Sequence, residues 1–331
     1  MSSTNSVQPR ADIHHTGGGN FLQLLHCTMS VTELKKSPDA LDVQRIVLCH
    51  LESLTCVPAL NRIFDSFGDR IGLVLISRRF DTAHGGFFDQ LAASVRKSGI
   101  RMTFWLGFDL ISAQVVAVVA RLLRFLGRPA LETLPALARR HGATLVETGD
   151  INGAETLDRL RAYAPDVLVV VNFDQILQPS AITIPRLGAI NIHPSLLPDL
   201  RGPCPVFWAL AEGRTTSGAT VHRIEDARID AGSILRQAER PIDARKSVAE
   251  INTDLFLAGA GALGEALEDI ASKRTVSPPA AGRYRGFPTA AEIAEARCAG
   301  VRLCGLWYAI RLIAGAVLPT YRRSGTGRFR Q

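Results

Sequence analysis

The run DVLVVVNF (166–173) is the most strand-like in the chain, and its apolar residues stand at consecutive rather than alternate positions. A strand of that kind has both faces buried, which requires a sheet covered on two sides. RIVLC (45–49), RIGLVLIS (70–77), ATLVET (143–148) and AINIH (189–193) read as further strands. Helical segments lie between them: VPALNRIFDSFG (57–68) with Gly68 placed to end it, GFFDQLAASVRKSG (86–99), PALETLPALARRHGA (129–143) ending at Gly142, and ETLDRLRAYAPD (155–166). Successive parallel strands need such crossovers. The alternation predicts an α/β fold with a Rossmann-like, doubly wound, mostly parallel sheet.

GATVHRIE (218–225) and SILRQAERPI (233–242) read as two more strands, antiparallel and flanking a loop. SVAE (247–250) is a capping box opening a helix to about Lys273, and TAAE (289–292) is a second, with Gly300 ending its helix. The expected organisation is a disordered tail over 1–41, an α/β domain over 42–245 and a helical, basic C-terminal extension over 246–331. Met29 is an alternative start. Between 102 and 127 runs MTFWLGFDLISAQVVAVVARLLRFLG, long enough to suggest a bilayer span. It carries Asp109, Gln114, Arg121 and Arg124, and charges inside a bilayer are unfavourable. A core helix, or an apolar helix lying on another surface, is expected, and no transmembrane span.

With 331 residues, 47% hydrophobic and 21% charged, the chain can bury a sizeable core. The formal net charge of +7 is uneven. Arg302, Arg311, Arg322, Arg323, Arg328 and Arg330 follow Val301 with no acid among them. This stretch, whose VRLCGLWYAIRLIAGAVLP (301–319) reads as a surface-seeking helix, is either a solvated end or a surface for anionic lipid or RNA phosphate. Six cysteines show no C-x-x-C spacing, so no metal site is expected, and a reducing cytoplasmic setting is.

Ligands of open parallel sheets sit beyond the carboxyl ends of the strands. There, DVLVVV leads into Asn172-Phe173-Asp174-Gln175, and AINI leads into His193. Asn191 and His193, two apart on a strand, share a face. An amide and an imidazole aimed at one point can hold a developing oxyanion. Pro194 and Pro198 then enclose Ser195-Leu196-Leu197, and Arg201-Gly202 follow. An Asn-x-His pair alone is a weak signal; the rigid loop after it is what suggests a placed ligand.

NIHPSLLPDLRG (191–202) resembles the signature of the 10-formyltetrahydrofolate-dependent formyltransferases, which act on glycinamide ribonucleotide, methionyl-tRNA or sugar nucleotides. GATVHRIEDARIDAGSILRQ (218–237) is similar to the family's second motif, and DVLVVVNFDQILQP (166–179) to the strand before its folate loop. The resemblance spans roughly 140–245. It implies a formyltransferase catalytic domain with 10-formyltetrahydrofolate as donor and no metal. It implies that Asn191 binds the formyl oxygen and that His193, as a cation, stabilises the tetrahedral oxyanion. Asp230 would raise the His193 pKa and relay protons. Phe173, Gln175, Ile176 and Leu177, with Ser195, Leu196, Leu197 and Pro198, would border the folate pocket, and the loop 224–230 would cover the pterin. Glu225 and Asp226 compete with Asp230 for the acidic role; the Asp-x-Gly pattern favours Asp230, its glycine allowing close approach to the ligand. His222 reads as a structural strand residue. From His222 to Asp230 is eight positions, one more than the family's pattern.

The acceptor is expected to be a small amine, such as an amino sugar, because 246–331 reads as helical and does not resemble the C-terminal barrel of the tRNA enzymes. The alternatives are hydrolysis to formate and a methionyl-tRNA formyltransferase-like enzyme.

Overall fold

The computed structural model describes residues 42–78, 87–127, 129–274 and 282–318. The expectations for 1–41 and for the arginines beyond 318 fall outside these residues. Five strands run parallel: β1 (Ile46–His50), β2 (Ile71–Ser77), β3 (Thr144–Thr148), β4 (Val167–Val171) and β5 (Ala189–His193). Two antiparallel strands, β6 (Thr216–Ile224) and β7 (Ile234–Pro241), complete the sheet in the order β3-β2-β1-β4-β5-β6-β7. The doubly wound, mostly parallel α/β sheet read from the sequence is therefore the fold.

The consecutive apolar residues divide between two cores. Ile46, Leu48, Val167, Val169 and Val171 pack on one face; Val47, Cys49, Leu168 and Val170 pack on the other. On the first face lie α1 (Val57–Phe67), α3 (Leu134–Arg140) and α7 (Val248–Ala271). The second is covered by α4 (Ala154–Tyr163) and the short α5 (Pro179–Ile182). Full burial of a Leu, Ile or Phe side chain contributes about 1.5–3 kcal/mol, so this two-sided covering is the main source of stability.

The described residues, on either side of 245, fall within one compact unit. Helix α7 lies across the sheet, with Phe256, Ala260 and Leu263 packed in the same core as Ile192 and Val221. A side chain on Gly259 would meet Ile192 at 2.3 Å, so the missing Cβ is what lets α7 approach β5 this closely. Helix α3 is shorter than 129–143, beginning only at Leu134 with Pro135 in its first turn. Gly68 follows α1 in ordinary right-handed conformation; its lack of a Cβ makes room for the His141 ring, 2.3 Å from where one would stand.

Helix α2 (Phe87–Leu122) is two helices joined at Gly99, whose φ of 74° breaks the helical path. Its second part, 100–122, buries Met102, Leu110, Ala113 and Val116 and leaves the opposite side uncovered. It packs with α9 (Leu306–Val317) and, beside α6 (Pro205–Ala211), with α8 (Ala290–Cys298). Both capping boxes are formed, at Ser247/Glu250 and Thr289/Glu292.

Candidate active site

Strands β5 and β6 pair so that Asn191 stands opposite His222 and His193 opposite Thr220. Paired positions point to the same side of a sheet, so these four side chains share one face, the one away from α7. The loop after β6 returns Asp230 to that face. Asp230 adopts φ +48°, a left-handed conformation that its short polar side chain tolerates. Its Oδ2 lies 3.5 Å from His193 Nδ1, and its Oδ1 accepts from Asn191 Nδ2 at 3.2 Å. The three candidate catalytic residues, Asn191, His193 and Asp230, thus meet at one point.

His222 belongs to this group, although the sequence suggests only a strand residue. Its Nδ1 donates to the Arg223 carbonyl, leaving Nε2 to accept from Asn191 Nδ2 at 3.1 Å; Nε2 also faces Asp230 Oδ1 at 3.5 Å. His193 Nε2 donates to the Leu200 carbonyl at 3.1 Å, so in the neutral ring Nδ1 carries a lone pair toward Asp230. The end of the 191–202 motif now has a physical role. Arg201 donates from Nε and Nη2 to the Ile229 carbonyl at 2.9 and 2.6 Å, and the Gly202 amide donates to Asp230 Oδ2 at 2.9 Å. Gly232 lets its loop pack on β6, where a Cβ would meet the Arg223 carbonyl at 1.9 Å. The glycine of Asp-x-Gly thus serves close packing within the protein. Glu225 accepts from Ser233, and Asp226 pairs with Arg228, so neither competes with Asp230.

Burial pushes the His193 imidazole below its ordinary value, by more than the facing Asp230 carboxylate raises it. The direction runs against the resting cation expected from the sequence. Burial alone would raise Asp230, but His193, His222 and the Gly202 amide outweigh it and hold the carboxyl well below the usual carboxylate range.

The group opens on a cleft of about 540 Å³, a size typical of small-molecule sites. Phe173, Gln175, Ile176 and Leu177 line it, as does the loop from Asp226 to Asp230. The Gln175 amide is committed to bracing, however. It donates to Ser77 Oγ and the Thr148 carbonyl and accepts from Ile151 N. Ser195, Leu196, Leu197 and Pro198 do not border the cleft. Ser195 donates to the Asp199 carbonyl, Leu197 is held between Thr220 and Gln237, and Leu196 packs on Gly218, which turns this loop toward β6 and β7. The turn includes a cis Leu197–Pro198 peptide.

The far wall comes from residues without a local sequence signal. Trp105, Leu106 and Asp109 of α2 line it, with Glu52 just past β1. Burial raises the Glu52 carboxyl, partly opposed by a hydrogen bond from Gln114. His50 Nδ1 donates to the Val171 carbonyl at 2.7 Å, and Leu51 and Asn172 exchange hydrogen bonds that clip β1 to β4. Among the described residues no group of three His, Cys, Asp or Glu side chains is placed to hold a metal ion.

The doubly wound sheet thus brings an amide, an imidazole and a carboxylate together beside the end of β5, an arrangement of the kind that stabilises charge developing on a carbonyl-sized group. Residues 109–267 match the family model described as formyl transferase. A methionyl-tRNA formyltransferase from Geotalea uraniireducens is 36% identical over 166 residues, 49% of this chain and 52% of that protein. One from a Synechococcus species is 42% identical over 132 residues, covering 40% and 41%. The chain thus spans about half the length of the curated relatives it matches. A crystal structure of glycinamide ribonucleotide transformylase 1 from Symbiobacterium toebii aligns with TM-score 0.48 and 20% identity, over 75% of this chain and 94% of that one.

Proposed function

We propose that the chain transfers a formyl group from 10-formyltetrahydrofolate to an amine, with Asn191, His193 and Asp230 as catalytic residues. The observation that carries this reading is the meeting of those side chains, from two separate segments, on the wall of one cleft. The cleft's size and its mixture of apolar side chains with the backbone of 226–230 suit a pterin.

When bound, the folate supplies an electrophilic formyl carbon. Asn191 gives up one of its two contacts to donate to the formyl oxygen. His193, neutral in the resting cleft, takes the proton that the attacking amine sheds. Asp230 stabilises the imidazolium so formed, and Arg201 and Gly202 hold Asp230 in place. His193 then returns the proton to N10 as the old carbon–nitrogen bond breaks. One carbon–nitrogen bond forms, one breaks, and the proton is conserved.

The preferred acceptor is a small amine. The strand order reverses between β1 and β4, the usual place for a nucleotide phosphate. Here the loop HLESL carries Glu52 and no glycine, an arrangement that disfavours a phosphate and suits a cationic amine. The names of the relatives favour a second acceptor, the aminoacyl amine of methionyl-tRNA. The deciding experiment incubates the protein with 10-formyltetrahydrofolate and a panel of amines, including amino sugars and methionyl-tRNA. Gain of one formyl group by an amine supports transfer. Formate release at the same rate with and without every amine would replace the proposal with hydrolysis.

A further inference from the structure

On α2, the exposed large apolar residues after Gly99 are Ile100, Phe104, Ile111, Val115, Val118 and Leu122. Their spacing of three, four or seven places them in one stripe along the helix, roughly 33 Å long at 1.5 Å per residue. Phe125 and Leu126 continue it at 77% and 52% exposure, and α9 adds Leu306 and Trp307 at 73% and 76%. Isolated exposed apolar residues are ordinary, whereas a contiguous band of this extent marks an interaction surface.

We propose that this band docks the protein on an anionic phospholipid surface, with the helices lying in the plane of the interface. The charges around the band select that partner. Arg101, Arg121 and Arg311 are exposed on α9 and on the part of α2 after Gly99, where the one acid, Asp109, turns to the cleft and accepts from the Thr55 amide. Beside Phe104 a cavity of about 360 Å³ is lined by Trp105, Phe108 and Ile293 together with Arg101, Arg297 and Arg302. Guanidinium groups and apolar side chains lining one cavity fit a lipid phosphate with its acyl chain. Trp307 at the edge of the band suits the headgroup level. A second copy of this chain is the poorer occupant, because band against band would bring the same arginines into apposition. The opposite side of the helix bears Trp105, Leu106 and Asp109 of the cleft, so the docked element is also a wall of the proposed active site.

The test is sedimentation of the full chain with vesicles of phosphatidylcholine alone and of phosphatidylcholine with about 30% phosphatidylglycerol, with light scattering of the free protein. The proposal expects binding to the anionic vesicles at least about tenfold tighter than to the neutral ones, with a blue shift of Trp307 emission. The triple variant Phe104→Ser/Phe125→Ser/Trp307→Ser removes side chains at least 74% exposed, so it is expected to keep its melting temperature and lose vesicle binding. Arg101→Glu/Arg297→Glu is expected to lose the anionic preference while retaining the fold. Equal binding to both vesicle types, or none to either, overturns the proposal. So does a wild-type dimer that the serine variant converts to monomer, which would assign the band to self-association.

Discussion

The backbone amide of Gly202 donates to Asp230 Oδ2 at 2.9 Å, tying the end of one motif to the acid of the other. The same Oδ2 faces His193. The position of the carboxylate is therefore set by main chain, and its side chain has little freedom left.

Asp230→Asn keeps the size of this group and removes its charge. Turnover is expected to fall by about two orders of magnitude or more, with folate binding, measured by fluorescence quenching, changed far less. Stability should respond to pH as well. A carboxyl held below its unfolded value stabilises the fold above that value, about 3.9 for Asp, and the contribution disappears as pH falls toward the folded pKa. Thermal melts below pH 4 should show the wild type losing stability more steeply than the variant.

Two buried histidines predict a second pH effect of the same sign. His50 is lowered to about 4 by burial, and His193 is lowered from 6.5 by the same cause. The unfolded chain binds these protons first, so stability is full above about pH 6.5 and falls as pH drops below it, by up to about 1.4 kcal/mol per unit for each group. His50→Asn, which can still donate to the Val171 carbonyl, should reduce that slope between pH 6.5 and 4. For catalysis, the acid limb of kcat/KM should lie below pH 6.5, and His193→Ala should abolish turnover while leaving the protein folded.

Arg201 acts through the loop that carries Asp230. Arg201→Lys retains charge but cannot reproduce two donors to one carbonyl. We expect kcat to fall about 10- to 100-fold, with melting temperature nearly unchanged and a larger effect on kcat than on KM. A loss of stability with unaltered kcat would instead make it a surface brace.

Gly259→Ala inserts a methyl group where Ile192 stands 2.3 Å away. Overpacking of this kind costs about 1–3 kcal/mol. Because Ile192 precedes His193, activity measured well below the melting temperature should fall too, and an Ile192→Val companion change should restore part of both.

The sheet was legible because parallel strands buried on both faces leave uninterrupted apolar runs, and the Asn191–His193 pair was legible because residues two apart share a face. What escaped depended on contacts between distant segments. His222 joins the site through antiparallel register, and Arg201 through the return of a loop some thirty residues later. Ser195–Pro198 reads as a rigid loop, but rigidity does not say toward which side it turns. The resting charge of His193 is a balance of burial against a facing carboxylate, and residue spacing carries no measure of burial. The outward stripe of α2 was present in its three- and four-residue spacing; its overall hydropathy hid the fact that it has two different sides.

The pairing of Asn191 with His222 has a consequence for how such a chain can vary among lineages. A single-residue insertion or deletion inside β5 or β6 would invert every side chain beyond it and dismantle the site at one stroke. The connecting stretches between 212 and 215 and between 225 and 229 carry no such parity and can change length. Drift in length is therefore confined to the links, and the strands keep count.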